Sequence, residues 1–331
     1  MHQGARNAGP FPFLFAKRRR AAIIARRFER PVTMPDDLPP RDTRVYKRAD
    51  GRDICADVIG AAPGGRKPAL VWIHGGGLIF GSRVYSPRAS LLRALVERGI
   101  VVVSIDHRFA PEVKLPDIVD DVGDAWRWVQ EVGPQRFGID ASRLAIAGAS
   151  AGGYLSLLAA TLFSPRPLAV AAFWGYGDIT AAWEAEPSAH YRKQELVSRD
   201  AAIASLDAPP LQDPALGVDR SIFYLYCRQQ GRWLEEVTAH DPRTDDAWFD
   251  RYCPVRNVGA AFPPTVLVHG TDDTDVPHDE SAKMVARFAA AGIEHRFISL
   301  PGVGHGFAGA QPADAEAAEL AVAEFLAERL Q

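Results

Sequence analysis

The sequence predicts an α/β fold in which helices cover both faces of a mostly parallel, eight-stranded sheet. Short apolar runs alternate with helix-like patterns over most of the 331 residues. Continuous apolar runs are typical of strands that are buried on both faces, and the helices between them provide parallel crossovers. The first two strand-like runs have no helix between them. We therefore expect the sheet to begin with an antiparallel pair.

Each strand is predicted from a β-branched or apolar run that is bounded by polar or glycine-rich residues. In chain order these runs are RVYK (44–47), ICADVIG (54–60), ALVWIH (69–74), VVVSI (101–105), LAIAG (144–148), AVAAFW (169–174), TVLVH (265–269) and HRFISL (295–300). The helical patterns that separate or follow them cover 86–98, 117–132, 151–163, 279–291 and 313–330.

Residues 178–262 interrupt this alternation and form a predicted insertion. The segment is far longer than a crossover helix needs, although VSRDAAIASL within it has a helical pattern. It is rich in aromatic residues, namely Trp183, Tyr191, Phe223, Tyr224, Tyr226, Trp233, Trp248 and Phe249. The sequence leaves two interpretations open: a lid or cap over a substrate cleft at the carboxyl edge of the sheet, and a packed structural excursion.

The overall composition is that of an ordinary globular protein, with 47% hydrophobic and 24% charged residues and a net charge of −3. No apolar run approaches the roughly 20 residues that span a bilayer, and the near-zero charge indicates no nucleic-acid partner. Cys55, Cys227 and Cys253 are widely spaced and form no CxxC pair. We therefore expect no disulfide framework and no metal site, and a reducing, cytoplasmic location. A homodimer is left open.

The first 33 residues are strongly basic, with eight Lys or Arg residues and one Glu. They lack the apolar stretch of a secretory signal. Residues 13–30 could form a basic helix on a membrane surface, and the plainer alternative is a solvated extension or an upstream start codon with Met34 as the natural start. We therefore divide the chain into a basic extension (1–33), for which a place in the cap is left open, and a catalytic domain (34–331).

The candidate nucleophile is Ser150, in the sequence RLAIAGASAGGY (143–154). Gly148 to Gly152 form a GxSxG pattern between a predicted strand and a predicted helix, which is the context of a nucleophile elbow. Such a turn strains its central residue and requires small neighbours. It also places the hydroxyl at a helix N-terminus, which favours a developing negative charge.

Candidate oxyanion donors follow an earlier strand in HGGGLIFGS, which begins at His74. HGGG-type loops supply backbone N–H groups to the oxyanion in esterases and lipases. We assign this role to the amides of Gly76, Gly77 and Ala151. A phosphate loop is disfavoured, because Phe80 occupies the last glycine position of GxGxxG and no Walker lysine follows. His74 is interpreted as a side chain that orders the loop.

A serine nucleophile needs a base, and the base needs an orienting carboxylate. Asp272, Asp273 and Asp275 follow one predicted strand, and His305 follows the last one. The chain order Ser, Asp, His is that of the α/β-hydrolases. A calcium loop is disfavoured because no EF-hand glycine and glutamate follow the aspartates. His269 is expected to be internal.

With these motifs the chain resembles an α/β-hydrolase of the hormone-sensitive-lipase-like serine esterase group over residues 69–308. The resemblance is carried by HGGG (74–77), DHRFAPE (106–112), GASAGG (148–153), HGTDDTDVP (269–277) and GHGF (304–307). It implies hydrolysis of carboxylic esters without a cofactor, and a small-molecule ester as the partner.

The chain departs from that group at several positions. Ala149 replaces the usual Asp, and His107 and Phe109 replace residues of the usual DYRLAPE motif. The acid motif resembles the HGxxDxxVP of prolyl-oligopeptidase-like hydrolases, which implies Asp273 as the triad acid. The predicted function is thus a serine carboxylesterase for short-chain esters. A serine exopeptidase and a non-catalytic ligand-binding relative are the alternatives.

Overall fold

An eight-stranded sheet forms the centre of the protein in the computed structural model, which describes residues 38–85, 89–206 and 220–331. The strands are β1 (Asp42–Ala49), β2 (Arg52–Ile59), β3 (Lys67–Ile73), β4 (Val101–Ile105), β5 (Ile139–Ala149), β6 (Val170–Phe173), β7 (Thr265–Gly270) and β8 (His295–Leu300). Their spatial order is β1-β2-β4-β3-β5-β6-β7-β8. The predicted basic extension, including residues 13–30, lies outside the described residues.

Six of the strands are parallel. β1 pairs with β2, and β2 with β4, in antiparallel orientation, whereas β4, β3, β5, β6, β7 and β8 pair side by side in parallel. The expected antiparallel start and mostly parallel sheet are confirmed. All parallel strands therefore end at the same edge of the sheet, where the loops that follow them come together.

Ten α-helices lie in the described part of the chain. They are α1 (Ala89–Glu97), α2 (Leu115–Phe137), α3 (Ala151–Leu162), α4 (Ala182–Ala185), α5 (Arg199–Ala204), α6 (Ser221–Gln230), α7 (Trp233–Thr238), α8 (Asp246–Phe249), α9 (Asp279–Ala291) and α10 (Pro312–Arg329). Short 3₁₀ turns include Tyr191–Lys193 and His305–Phe307.

The sheet separates two hydrophobic cores, because alternate residues of each strand point to opposite faces. Val71 and Val103 pack with α2, α3 and α9 on one face, and Leu70 and Val102 pack with α1 and α10 on the other. All four side chains are fully buried. This double burial is the physical reason why the central strands appear in the sequence as continuous apolar runs.

The insertion (178–262) contributes α4 to α8 and packs against the first of these cores. Its buried aromatic residues, including Tyr191, Phe223, Trp233 and Phe249, are continuous with the side chains of α2 and α3. The aromatic residues that distinguish this segment in the sequence therefore stabilise its attachment to the sheet domain. Residues 207–219 of the insertion lie outside the described part.

Candidate active site

Ser150 forms the turn between β5 and α3. Its φ of 54° and ψ of −120° are uncommon for a residue with a side chain, and its N–H donates to the carbonyl oxygen of Phe173 at 2.8 Å. The turn is tight enough that a Cβ on Gly152 would lie 2.1 Å from the carbonyl oxygen of Ile73. The small residue two positions after the serine is therefore required by the close approach of α3 to β3.

The loop after β3 contains two glycines in the left-handed region of φ. A Cβ on Gly76 (φ 112°) would lie 2.0 Å from the carbonyl oxygen of Phe80, and one on Gly77 (φ 58°) would lie 2.4 Å from the ring of Tyr224. Within residues 38–85, 89–206 and 220–331, no acceptor binds the N–H of either glycine. Both N–H groups can therefore donate to a ligand oxygen. Ala151 opens α3 and adds one of the unsatisfied N–H groups of a helix start.

His305 and Asp273 are in direct contact. The Nδ1 of His305 donates to Asp273 Oδ2 at 2.7 Å. The Asp273 side chain is fully buried, and its other oxygen accepts from the N–H groups of Asp275 and Val276 at 2.8 and 2.9 Å. His269, which the sequence predicts to be internal, is buried on the other side and its Nε2 lies 3.3 Å from Asp273 Oδ2.

These contacts keep Asp273 ionised. Burial opposes the charge, but the attraction of His305 and the hydrogen bonds from His269 and His305 outweigh it and hold the pKa of Asp273 well below its usual range. A carboxylate that accepts from Nδ1 fixes the tautomer of His305 and leaves Nε2 available as a base. This is the electrostatic arrangement that a Ser-His-Asp mechanism needs.

The two neighbouring aspartates have different surroundings. Asp272 is exposed, and its carboxylate accepts from the Thr271 hydroxyl at 3.1 Å. Asp275 is buried and faces the insertion, where Tyr224 OH and Arg228 Nη1 donate to its Oδ1 at 2.7 and 2.9 Å. Of the three predicted candidates, Asp273 is thus the one that contacts Nδ1 of His305.

The candidate residues all follow strand ends at one edge of the sheet. Ser150 follows β5, Gly76 and Gly77 follow β3, Asp273 follows β7 and His305 follows β8. Since these strands are parallel neighbours, their carboxyl ends bring the four loops together at one edge of the sheet. The indole ring of Trp174, which follows β6, lies 5.8 Å from the ring of His305.

The side chain of His74 stabilises the glycine loop. Its Nδ1 donates to the carbonyl oxygen of Gly75 at 2.7 Å, and its ring stacks on that of His107 at 4.5 Å. Burial lowers the pKa of His74 to about 4 and that of His107 to about 3. Both rings are therefore neutral at physiological pH, in keeping with a loop-ordering role for His74.

The sequence alone does not reveal which residues of the insertion border the site. The indole N–H of Trp233 donates to the carbonyl oxygen of Gly77 at 2.7 Å, and the ring of Tyr224 packs against Phe80 at 5.8 Å. Arg220 donates to the carbonyl oxygen of Ile79 at 2.7 Å. The insertion therefore packs against the glycine loop and stabilises it. Aromatic enrichment signals such packing, but it does not identify these pairs.

A buried arginine lies next to the site. The Arg228 guanidinium sits 5.0 to 5.8 Å from the ring centres of Trp183, Tyr191 and Tyr224. Glu184 approaches it at 3.9 Å, and burial raises the pKa of Glu184 well above its usual range. The described residues hold no group of three or more His, Cys, Asp or Glu placed to bind a metal ion.

Comparison with known proteins assigns the family. Residues 70–309 match the alpha/beta hydrolase fold family. Esterase LipC of Mycobacterium tuberculosis is 29% identical over 72% of this chain and 53% of its own length, and ethyl acetate hydrolase of Pseudomonas putida is 28% identical over 72% and 65%. Non-reducing polyketide synthase ausA of Penicillium brasilianum is 27% identical over 76% of this chain. The chain spans only 12% of that synthase's length.

Solved structures have the same fold. EstE1, a thermophilic carboxylesterase cloned from a metagenomic library, superposes with a TM-score of 0.67 at 23% identity and covers 96% of this chain and 97% of its own. A Staphylococcus aureus protein of unknown function gives a TM-score of 0.70 at 24% identity, covering 88% and 100%. In the described ranges, no helix combines the length and apolarity needed to cross a membrane. The chain belongs to the alpha/beta hydrolase fold family.

Proposed function

We propose that this protein is a serine carboxylesterase that hydrolyses short-chain carboxylic esters through Ser150, His305 and Asp273. The observation that carries the proposal is the 2.7 Å contact between His305 Nδ1 and the buried Asp273 carboxylate, at the sheet edge where Ser150 forms a strained strand–helix turn. The similarity to esterase LipC and ethyl acetate hydrolase supports the same reaction class.

The mechanism proceeds in two halves. Ser150 Oγ attacks the ester carbonyl while His305 Nε2 takes the proton, and Asp273 stabilises the resulting imidazolium. The N–H groups of Gly76, Gly77 and Ala151 bind the oxyanion, each contributing on the order of 3 kcal/mol to the transition state. His305 then protonates the departing alcohol. Water, activated by the same imidazole, hydrolyses the acyl-enzyme and restores Ser150.

The proposed catalytic domain spans residues 34–331, with the insertion (178–262) as its cap. The carboxyl edge of the sheet supplies the reacting groups, and the insertion supplies contacts such as the Trp233 bond to Gly77. The homodimer and the cytoplasmic location stay predictions.

A pair of assays tests the ester-hydrolase proposal against the peptidase and the non-catalytic alternatives. The wild type should cleave p-nitrophenyl butyrate and leave an aminoacyl-p-nitroanilide almost untouched. Ser150→Ala should lower kcat on the ester by on the order of 10⁶, the loss seen when a triad nucleophile is removed. Ser142→Ala is the matched control, because this exposed serine lies at the far end of the same strand, and its activity should equal that of the wild type.

Preferential cleavage of the anilide would favour the exopeptidase. Absence of both activities in folded wild-type protein would favour a ligand-binding relative. A Ser150→Ala enzyme that kept a tenth of the wild-type turnover would contradict the proposed nucleophile.

A further inference from the structure

Asp275 lies on the reacting side of His305. Its Oδ2 is 3.7 Å from His305 Nε2, whereas Nδ1 of the same ring is bound by Asp273 at 2.7 Å. A separation of 3.7 Å exceeds hydrogen-bond length, so Asp275 lies near Nε2 without forming a hydrogen bond to it. In a Ser-His-Asp reaction Nε2 also protonates the leaving alcohol. The Asp275 carboxylate therefore borders the position of the alcohol part of an ester.

Asp275 is held rigidly in this place. Its Oδ1 accepts from Tyr224 OH at 2.7 Å and from Arg228 Nη1 at 2.9 Å, and Arg228 Nη2 donates to its backbone carbonyl at 3.1 Å. The Arg228 side chain is only 3% exposed. The Tyr191 hydroxyl is a further hydrogen-bond donor to the carboxylate. Since each carboxylate oxygen has two acceptor sites, Oδ2 can still bind a hydrogen-bond donor of a ligand.

The charges around Asp275 are already balanced. Arg228 compensates its negative charge directly at 2.9 Å. Burial raises the pKa of Glu184, the other carboxyl group beside Arg228, well above its usual range. A substrate cation would bring an uncompensated positive charge next to a buried guanidinium. A neutral hydroxyl needs only the acceptor that Oδ2 offers.

We propose that Asp275 selects esters whose alcohol part carries a hydroxyl on the carbon next to the ester-bearing carbon, as in monoesters of vicinal diols. This inference rests on the proposed ester-hydrolase function. Such a hydroxyl is two carbons from the ester oxygen, so it can reach Oδ2 while that oxygen faces Nε2 of His305. An alkyl or O-methyl group in the same place would exclude water from Oδ2 without donating a hydrogen bond in return, which is unfavourable for a carboxylate.

The test compares kcat/KM for 2-hydroxyethyl butyrate and 2-methoxyethyl butyrate, which differ in that one donor. The wild type should prefer the hydroxyethyl ester by about tenfold or more, as expected for a hydrogen bond to a charged group. In Asp275→Asn the amide oxygen can keep the bonds from Tyr224 and Arg228, so the NH₂ group replaces Oδ2 and cannot accept. The preference should then fall below about threefold, because the hydroxyethyl ester loses its acceptor whereas the methoxyethyl ester never used it.

The ratio of two rates in one sample is independent of how much enzyme is folded. Asp272→Asn, in the exposed neighbour, should keep the wild-type ratio. At pH 7 the cationic 2-(dimethylamino)ethyl butyrate should do no better than the methoxyethyl ester.

Three results would overturn the inference: a wild-type ratio near one, an equal loss on both esters in Asp275→Asn, or preference for the cationic ester. The second result would show instead that Asp275 positions His305. Failure of the wild type to cleave any of the three esters would contradict the proposed function itself.

Discussion

Asp272 and Asp273 are adjacent in the chain, but their chemical surroundings are opposite. The Asp273 side chain is fully buried and receives hydrogen bonds from His305 and two backbone N–H groups. Asp272 is exposed and bonded to a threonine hydroxyl. Hydrogen bonding and burial, rather than the presence of a carboxylate, therefore decide which residue can orient the base.

This contrast gives a prediction for two isosteric variants. Asp273→Asn should lower kcat on p-nitrophenyl butyrate by on the order of 10⁴, because an amide that donates to Nδ1 strands His305 in the wrong tautomer. Asp272→Asn should stay within about twofold of the wild type. Steady-state kinetics together with circular dichroism spectra checks both. If Asp272→Asn lost its activity and Asp273→Asn kept it, the triad acid would be Asp272 instead.

At the scale of single elements, the loop after β3 depends on backbone geometry that a side chain would break. Gly76 combines a φ of 112° with a carbonyl oxygen only 2.0 Å from where a Cβ would lie. That oxygen belongs to Phe80, and the Phe80 N–H donates a hydrogen bond to the Gly76 carbonyl oxygen at 3.0 Å. The Phe80 carbonyl oxygen and the Gly76 backbone belong to one tight turn. A Cβ on Gly76 would therefore avoid the clash only if the whole loop moved.

We therefore expect Gly76→Ala to lower kcat/KM on p-nitrophenyl butyrate by about 10² to 10³, the range for loss of an oxyanion donor. Gly259→Ala is the matched control, since a Cβ there meets nothing within 4 Å and its φ is ordinary. Thermal unfolding should show that Gly76→Ala remains folded at the assay temperature. Full activity of folded Gly76→Ala would contradict the assigned role of this loop.

The sequence predicts the elements well where burial imposes a simple pattern. The central strands are buried on both faces and appear as apolar runs, so their positions agree with prediction to within two residues, except that β5 begins at Ile139 rather than at the predicted Leu144. Helix α2 is longer than the expected 117–132, because it begins at Leu115, with Pro116 in its first turn, and ends before Gly138, which has a φ of 65°. These caps are visible in the sequence once the boundary is known.

The contacts of the insertion are much less predictable. Arg228 and Asp275 lie 47 residues apart, and Trp233 bonds to a carbonyl group 156 residues away. No local periodicity encodes such pairs, since they depend on how the insertion packs over the sheet edge. The positions of Ser150, Asp273 and His305 at one edge of the sheet could be predicted, because each residue follows the end of a predicted strand. The residues that border them from the insertion could not.

For the molecule as a whole, the stacked pair of His74 and His107 couples stability to pH. Burial lowers their pKa values to about 4 and about 3, against about 6.5 in an unfolded chain. Because the folded values are depressed, the unfolded chain binds protons first as the pH falls. The stability associated with the neutral rings is complete above pH 6.5 and is lost progressively toward pH 4 and 3.

Urea unfolding between pH 7 and pH 5 should show this loss as a slope that approaches about 1.4 kcal/mol per pH unit for each histidine. His107→Phe keeps an aromatic ring without a titrating group, so it should roughly halve the slope. His190→Phe changes an exposed histidine and should leave the slope as it is. Equal slopes in the wild type and His107→Phe would show that other groups control acid stability.

We also expect the insertion to limit the size of the substrate. Tyr224 packs against Phe80 and the glycine loop, and Trp233 donates a hydrogen bond to that loop, so aromatic side chains lie beside the proposed oxyanion donors. Among the described residues of the insertion, the exposed large hydrophobic side chains are Leu196 and Ile203. Two such side chains do not form the extended apolar face that an enzyme acting on lipid droplets would present.

We therefore predict that esters of acetyl to about hexanoyl chains are cleaved best and emulsified long-chain triglycerides hardly at all. Each added methylene contributes about 0.8 kcal/mol of binding until the chain meets the far wall of the pocket. Beyond that length, further methylenes must stay in water or displace packed side chains, so kcat/KM stops rising and then falls. A series of p-nitrophenyl esters from two to sixteen carbons, each held below its solubility limit, measures the optimum directly. An optimum at twelve carbons or above, or a jump in rate once the substrate forms an interface, would show that the insertion opens to lipid.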